Sequence, residues 1–406
     1  MKKIVILGVG AQGSTVAKFM DNDENVKEII CADYDEKAVN ELVKELTKGK
    51  GAKVDAGSEK SIMEVIKGAD LVVNGLPLAF GKNVLEACLK VKADYQDFAA
   101  TEAIHEDWVE GIKILYDEYA RRFKEIGKVA LIATGSAPGL ICVVARDLMK
   151  HFDSCETIYN FVYEGVEAKR FLPFWWSPVT AMNDMASEAT AFVDGKLIKT
   201  VPFSLPVSRK YDYLDEEVVF VEHDHDEPVH LGLNSKEFFK GVKNVYFKYA
   251  GAGVEFAKPL YRAGLLSHEK EKVGDVMVAP FDVVLKHIPA APKYHDEIKE
   301  IIEEGLVSDT GAMVVEAYGI KDGAKIKAES HVSAPGLKES FEKSGLTSEM
   351  YLTGQGGALF TKMLIKDLIT QRGLISSDML NSEQVDYYLK EAAKLDITVE
   401  TKIEKL

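Results

Sequence analysis

Three groups of residues have types and spacing suited to chemistry. The first is the run Gly8-Val9-Gly10-Ala11-Gln12-Gly13. Glycine permits a sharp reversal at Gly8, a close backbone approach to a pyrophosphate at Gly10, and tight helix–strand packing at Gly13. Ala11 and Gln12 would then open a helix whose unpaired N–H groups and dipole favour phosphate. The spacing gains meaning from Asp33, which ends the next apolar run after Ile29, Ile30, Cys31 and Ala32. A carboxylate at that distance grips an adenosine ribose 2′-hydroxyl and repels a 2′-phosphate. The pattern therefore favours NAD, and leaves room for NADP only if a cation such as Lys37 compensates.

The second group sits where further strands should end. Asn74, Leu76 and Pro77 follow the run Leu71-Val72-Val73 and are placed to line a cofactor, while Ser136 and Pro138 open the helix after another apolar run. Asp97 closes a short strand beside Tyr95 and Gln96. Burial would raise the pKa of such a carboxylate into the range useful for acid–base work, with Tyr95 as a neighbour. His105, after a Thr101 cap and Glu102, is the alternative base, although a surface histidine is the plainer reading. The third group is Lys169-Arg170 followed by Trp175 and Trp176 in a turn-prone loop. Arg170 is placed to pair a substrate carboxylate, and Trp175 or Trp176 to wall a reacting carbon from water. Adjacent tryptophans also suit a core or a dimer interface. The cluster His223-Asp224-His225-Asp226-Glu227 with His230 reads as a solvated loop and not as a metal centre.

These residues need elements to hold them. β-branched runs and helical spacings alternate from Lys2 to Ala133, with amphipathic helices such as Glu36 to Leu46 carrying Val39, Leu42, Val43 and Leu46 on one face. Six strands with intervening helices describe a doubly wound parallel sheet of the Rossmann type over residues 1–140. Beyond it strands dominate, with two-residue turns at Asp194-Gly195 and Asp322-Gly323. Residues 141–353 thus read as an α+β domain with a mixed or antiparallel sheet. Residues 354–406 read as a tail of helices, opening after Thr353-Gly354-Gln355-Gly356-Gly357, that returns to the first domain. The charge runs Glu269 to Lys272 and Asp296 to Glu304 read as solvated helix faces.

Composition narrows the function. The 406 residues carry a formal net charge of −15, which disfavours nucleic acid and anionic membrane surfaces as partners. The four cysteines lack metal-ligand spacing and read as reduced core residues, and no run is long enough to span a bilayer. A cytoplasmic protein acting on a small molecule is the expectation.

Several segments together resemble the saccharopine dehydrogenase family: the opening glycine turn with Ala32-Asp33-Tyr34-Asp35, Val72-Val73-Asn74-Gly75-Leu76-Pro77, Asp94-Tyr95-Gln96-Asp97 and Thr134-Gly135-Ser136-Ala137-Pro138-Gly139-Leu140. Gly319 to Gly323 and Gly373-Leu374-Ile375 extend the likeness. The Ala137 to Gly139 form and the Val-Val-Asn strand end look most like lysine 6-dehydrogenases. Saccharopine reductases with a cysteine before this motif differ from Thr134-Gly135 here. The resemblance implies that residues 141–353 bind the substrate and dimerise, in a homodimer that transfers hydride between a nicotinamide and the carbon of a C–N bond, using an amino acid or secondary amine as substrate. It implies no metal. The competing expectation is a nucleotide-sensing protein that keeps the fold and has lost the chemistry.

Overall fold

A computed structural model describes residues 1–100, 102–214 and 216–406, with only the backbone of Glu102. Six strands open the chain: β1 Lys2–Leu7, β2 Val26–Asp33, β3 Gly49–Lys53, β4 Leu71–Asn74, β5 Asp94–Asp97 and β6 Val129–Ile132. Eight follow: β7 Ser154–Ala168, β8 Ala189–Val193, β9 Lys196–Thr200, β10 Val207–Arg209, β11 Val218–Glu222, β12 Asn244–Gly251, β13 Glu271–Val273 and β14 Val276–Val278. The last four are β15 Leu306–Lys321, β16 Ala324–Ser333, β17 Gly373–Ser376 and β18 Thr398–Lys405. The chain divides into two compact units, Met1–Asp147 with Met350–Asp396, and Leu148–Glu349 with Ile397–Leu406.

In the first unit the sheet order is β17-β6-β5-β4-β1-β2-β3, and every pairing is parallel. Strands covered on both faces must be apolar throughout, and Ile4, Val5, Ile6 and Leu7 of β1 are wholly buried. Each such side chain contributes about 1.5–3 kcal/mol relative to exposure. Chain order reverses between β1 and β4, so the crevice for a ligand lies beyond Leu7 and Asn74, which face each other in register. Helix α1, Ala11–Asp21, begins at that point.

The helix expected to open after Gly357 instead runs from Ser348 to Ile365, straight through Gly354, Gly356 and Gly357. Its glycines serve contact, not termination. A Cβ on Gly354 would fall 2.8 Å from Thr15, and one on Gly357 would fall 2.4 Å from the Phe98 ring. Absence of a side chain lets this helix lie directly on its neighbours, which offsets the low helix propensity of glycine.

The second unit is built on a mixed sheet in the order β10-β11-β12-β7-β15-β16-β18, with the β8–β9 hairpin attached to β12. Long antiparallel strands β7 and β15 form its centre, while β12 pairs with β7 in parallel. Both Asp-Gly turns form as read, with φ of 47° and 78° at Asp194 and Gly195 and of 49° and 76° at Asp322 and Gly323. Three expectations change. The break falls at Asp147/Leu148 because the helix Leu140–Leu148 stays with the first unit. The end of the tail does not return there, since β18 pairs antiparallel with β16. The charged run from Glu269 leads into the β13–β14 hairpin and not a helix. Cys31, Cys88, Cys142 and Cys155 are buried free thiols, and among the described residues no helix is long and apolar enough to cross a membrane.

Candidate active site

Gly8, at φ 86°, turns the chain out of β1, and a Cβ there would lie 2.6 Å from the Gly75 backbone. Gly13 is tied as closely, because a Cβ on it would stand 1.9 Å from the Gly8 carbonyl oxygen. Gly10 differs: nothing lies within 4 Å of the position its Cβ would take. It precedes α1 with no side chain capping the helix and no acidic residue in the first turn. Ala11 and Gln12, both half-buried, supply first-turn N–H groups. Unfilled space over uncapped donors and a positive helix end suits a pyrophosphate.

Asp33 lies beside this turn. Its Oδ2 accepts the Val9 N–H at 2.9 Å and its Oδ1 accepts the Asp35 N–H at 3.1 Å. The carboxylate therefore holds the glycine turn in place. Tyr34 follows with a ring 79% exposed, a feature the sequence reading passed over. The signal was available as an aromatic residue directly after the acidic one.

The ends of β4, β5 and β6 are joined by one hydrogen-bonded chain. Asn74 Nδ2 donates to the Tyr95 hydroxyl at 3.0 Å, Tyr95 donates to Asp97 Oδ2 at 2.9 Å, and the Ala133 N–H donates to Asp97 Oδ1 at 2.9 Å. Ala133 has φ 58°, so Asp97 holds the chain in a left-handed turn that alanine disfavours. Asp97 is only 3% exposed, with both oxygens engaged inside the protein. Burial, together with the Asp97 charge, pushes the Tyr95 phenol well above its ordinary range. Leu76 donates its N–H to Asn74 Oδ1, and Pro77 is exposed at the turn. Ser136 shares a hydrogen bond with Thr353 at 2.8 Å. Pro138 is buried behind a cis Ala137–Pro138 bond, and the helix begins two residues later at Leu140. Gln96, which the sequence offered only as a neighbour, bonds Thr134, Thr361 and the Gly357 carbonyl and binds the sheet to the helix above it.

Other expected residues do not join a site. His105 is exposed and its Nδ1 accepts the Asp107 N–H, a local turn. The Thr101 cap lies outside the described residues. Arg170 is not available to a substrate carboxylate, because Glu304 and Glu300 on the helix His295–Glu304 already occupy its guanidinium. Trp175 is a core residue, 3% exposed, donating its indole N–H to the Val166 carbonyl at 2.7 Å. Trp176 stays half-buried, with its side chain beside the Glu164 carboxylate.

The histidine-rich segment is not a solvated loop. His223, Asp224, Glu227 and His230 are buried, because the His223 ring packs on Tyr249, the His225 ring packs on Phe247, and the helix Glu227–Leu233 is covered. Among the described residues no group of three or more His, Cys, Asp or Glu side chains is disposed to hold a metal ion.

A family sequence model described as the saccharopine dehydrogenase NADP binding domain matches residues 4–131. Carboxyaminopropylagmatine dehydrogenase of Synechocystis sp. is 31% identical over 404 residues, covering 94% of each chain. Apo saccharopine dehydrogenase (L-Glu forming) from Saccharomyces cerevisiae shares the fold with a TM-score of 0.71 at 14% identity, over 100% of both chains. The homospermidine synthase of Legionella pneumophila, solved with NAD, does so with a TM-score of 0.67 at 12% identity, over 100% of this chain and 91% of that one.

Proposed function

The chain belongs to the saccharopine dehydrogenase family, and from that premise we propose that it oxidises or forms the C–N bond of a carboxylated polyamine or a related amino acid. The bound nicotinamide supplies the hydride chemistry. The observation that carries this reading is the open space over Gly10 and the uncapped start of α1, beside Asp33, at the point where the strand order reverses. It occurs in a chain that is 31% identical to a dehydrogenase of a guanidine-bearing carboxyamine over nearly the whole of both.

In this reading the α1 N–H groups bind the pyrophosphate and Asp33 binds the ribose hydroxyls, which favours NAD over NADP. The exposed Tyr34 ring offers a face to the adenine. Asn74, Tyr95 and Asp97 act as positioning residues. Their chain fixes the turns at three strand ends, and Tyr95 stays protonated as a fixed donor. Removal of hydride from the substrate carbon leaves an imine that water opens, and the nitrogen gives up a proton when the C=N bond forms. The second unit is taken as the substrate-binding and dimerising part of a cytoplasmic homodimer.

The test is NAD(P)H absorbance with carboxyaminopropylagmatine, saccharopine and lysine, each with NAD and with NADP. Turnover of a carboxylated polyamine or amino acid is the expected result. Cofactor binding with no turnover across the whole panel would overturn the enzyme reading in favour of a nucleotide sensor.

A further inference from the structure

Within the second unit, Glu164 and Tyr249 point from the same face of two adjacent parallel strands, since Tyr249 is in register with Val162 and Gly251 with Glu164. The Tyr249 hydroxyl donates to the Glu164 carboxylate, and the Trp176 side chain lies close enough to favour its charge. His223, directly after β11, stacks on the Tyr249 ring with centroids 4.8 Å apart and planes 22° from parallel. The His223 side chain is 4% exposed and its Nε2 has no hydrogen-bond partner.

What sets this group apart is the missing cation. Glu222 on the same sheet is paired with Lys248, and Glu316 with Arg209 and Lys327. Glu164 has only neutral donors among the described residues. A carboxylate sheltered from water without a counter-charge is costly to ionise, and burial duly pushes the Glu164 pKa up. Burial also pushes His223 well below its usual value, aided by the charge of His225. His223 is therefore a neutral ring that can accept a hydrogen bond at Nε2. The nearby His225 is itself paired with Glu227, and Glu349 adds negative potential at Tyr249. Tyr249 and His223 are buried while Glu164 and Trp176 are half-buried, so a ligand would approach the group from the Glu164 and Trp176 side.

We propose that Glu164, Tyr249, Trp176 and His223 form the subsite that binds a protonated primary amine of the substrate. This rests on the amine-dehydrogenase reading above. The ammonium gives one N–H to the Glu164 carboxylate, which ionises as the cation arrives, and a second to His223 Nε2. The Trp176 and Tyr249 rings shield it and add cation–π attraction. An uncharged alkyl or hydroxyl end has nothing to offer Glu164, so the subsite selects amines over their alcohol analogues.

Calorimetric titration of the full chain with agmatine and with 1,4-diaminobutane tests this apart from turnover. Glu164→Gln keeps the size and the acceptor for Tyr249 and removes the charge, so agmatine should bind at least about tenfold more weakly while NADH binding is unchanged. His223→Phe keeps the stacked ring and removes Nε2, and should weaken agmatine alone. In steady state, Glu164→Gln should raise KM for the amine more than it lowers kcat. Equal agmatine affinity in the parent and in Glu164→Gln, or no agmatine binding by the parent, overturns the subsite even if turnover is found. Charge-dependent agmatine binding without turnover of any amine upholds it and overturns the dehydrogenase reading instead.

Discussion

Replacing Gly10 with alanine separates the cost to the fold from the cost to the ligand. Gly10 has φ −67° and ψ −164°, an extended conformation that alanine adopts freely, and its Cβ would meet nothing within 4 Å. Loss of unfolded-state freedom favours the variant by about 0.4–1 kcal/mol. Alanine is a poorer residue than glycine before a helix, by a few tenths of a kcal/mol up to about 1. The two nearly cancel, so the unfolding midpoint should move by less than about 3 °C for a unit of this size. The ligand has no such compensation. The methyl group occupies the space through which a pyrophosphate reaches the first-turn N–H groups, and losing one charge-assisted hydrogen bond costs about 1.5–3 kcal/mol. NADH affinity should fall roughly ten- to a hundredfold, read by fluorescence titration. Gly13→Ala makes the contrast, because its Cβ would stand 1.9 Å from the Gly8 oxygen and the backbone must move. It should cost about 1–3 kcal/mol of stability or more. A Gly10→Ala protein that folds normally and binds NADH within about twofold of the parent would refute the assignment of this turn to the pyrophosphate.

Other outcomes follow from the same geometry. Asp33→Asn retains an acceptor for the Val9 N–H and removes the charge, so NADP affinity should rise relative to NAD in paired titrations; an unchanged ratio removes Asp33 from the ribose. Asp97→Asn places an NH2 group against either the Tyr95 hydroxyl or the Ala133 N–H, and should cost about 1.5–3 kcal/mol in thermal unfolding and lower kcat together. Full stability with lost activity would instead mark Asp97 as a base. Arg170→Ala should leave the substrate KM unchanged, since its partners are surface glutamates. Burial alone would lower the pKa of His225, but Glu227, Asp226 and Asp184 outweigh it and raise it to about 9. Its stabilisation is complete below the unfolded value of about 6.5 and is lost as pH rises through about 9. Denaturant midpoints should therefore decline over that window, and His225→Gln should flatten the decline.

The first unit was largely legible because its signals are local. Strand runs such as Ile4 to Leu7, the glycine spacing and Asp33 all act within a stretch of about thirty residues, and an all-parallel sheet makes its strands apolar on both faces. The Asp194-Gly195 and Asp322-Gly323 hairpins were legible for the same reason. The helix through Gly354 and Gly357 was not, because what favours glycine there is contact with Thr15 and Phe98, hundreds of residues away. The placement of β18 likewise depends on an open edge of β16, which no local pattern announces.

The candidate site was harder to read because a polar residue at a strand end can either hold the protein together or face a ligand, and its type does not say which. The difference lies in whether its hydrogen-bonding capacity and charge are already met. Asp97 has both oxygens engaged by Tyr95 and Ala133, and Arg170 has two glutamates, so each had a plausible chemistry and is occupied by structure. Glu164 drew no attention in sequence, being one glutamate in a long strand, yet it is a half-buried carboxylate with no cation beside it among the described residues. His223 looked like part of a charged loop, yet it is a buried ring with an unmet nitrogen. Both conditions arise from residues brought together out of β7, β12 and the end of β11. Electrostatic demand left unmet inside a fold, which residue type alone does not announce, is what singles out Glu164 and His223 for the proposed amine subsite.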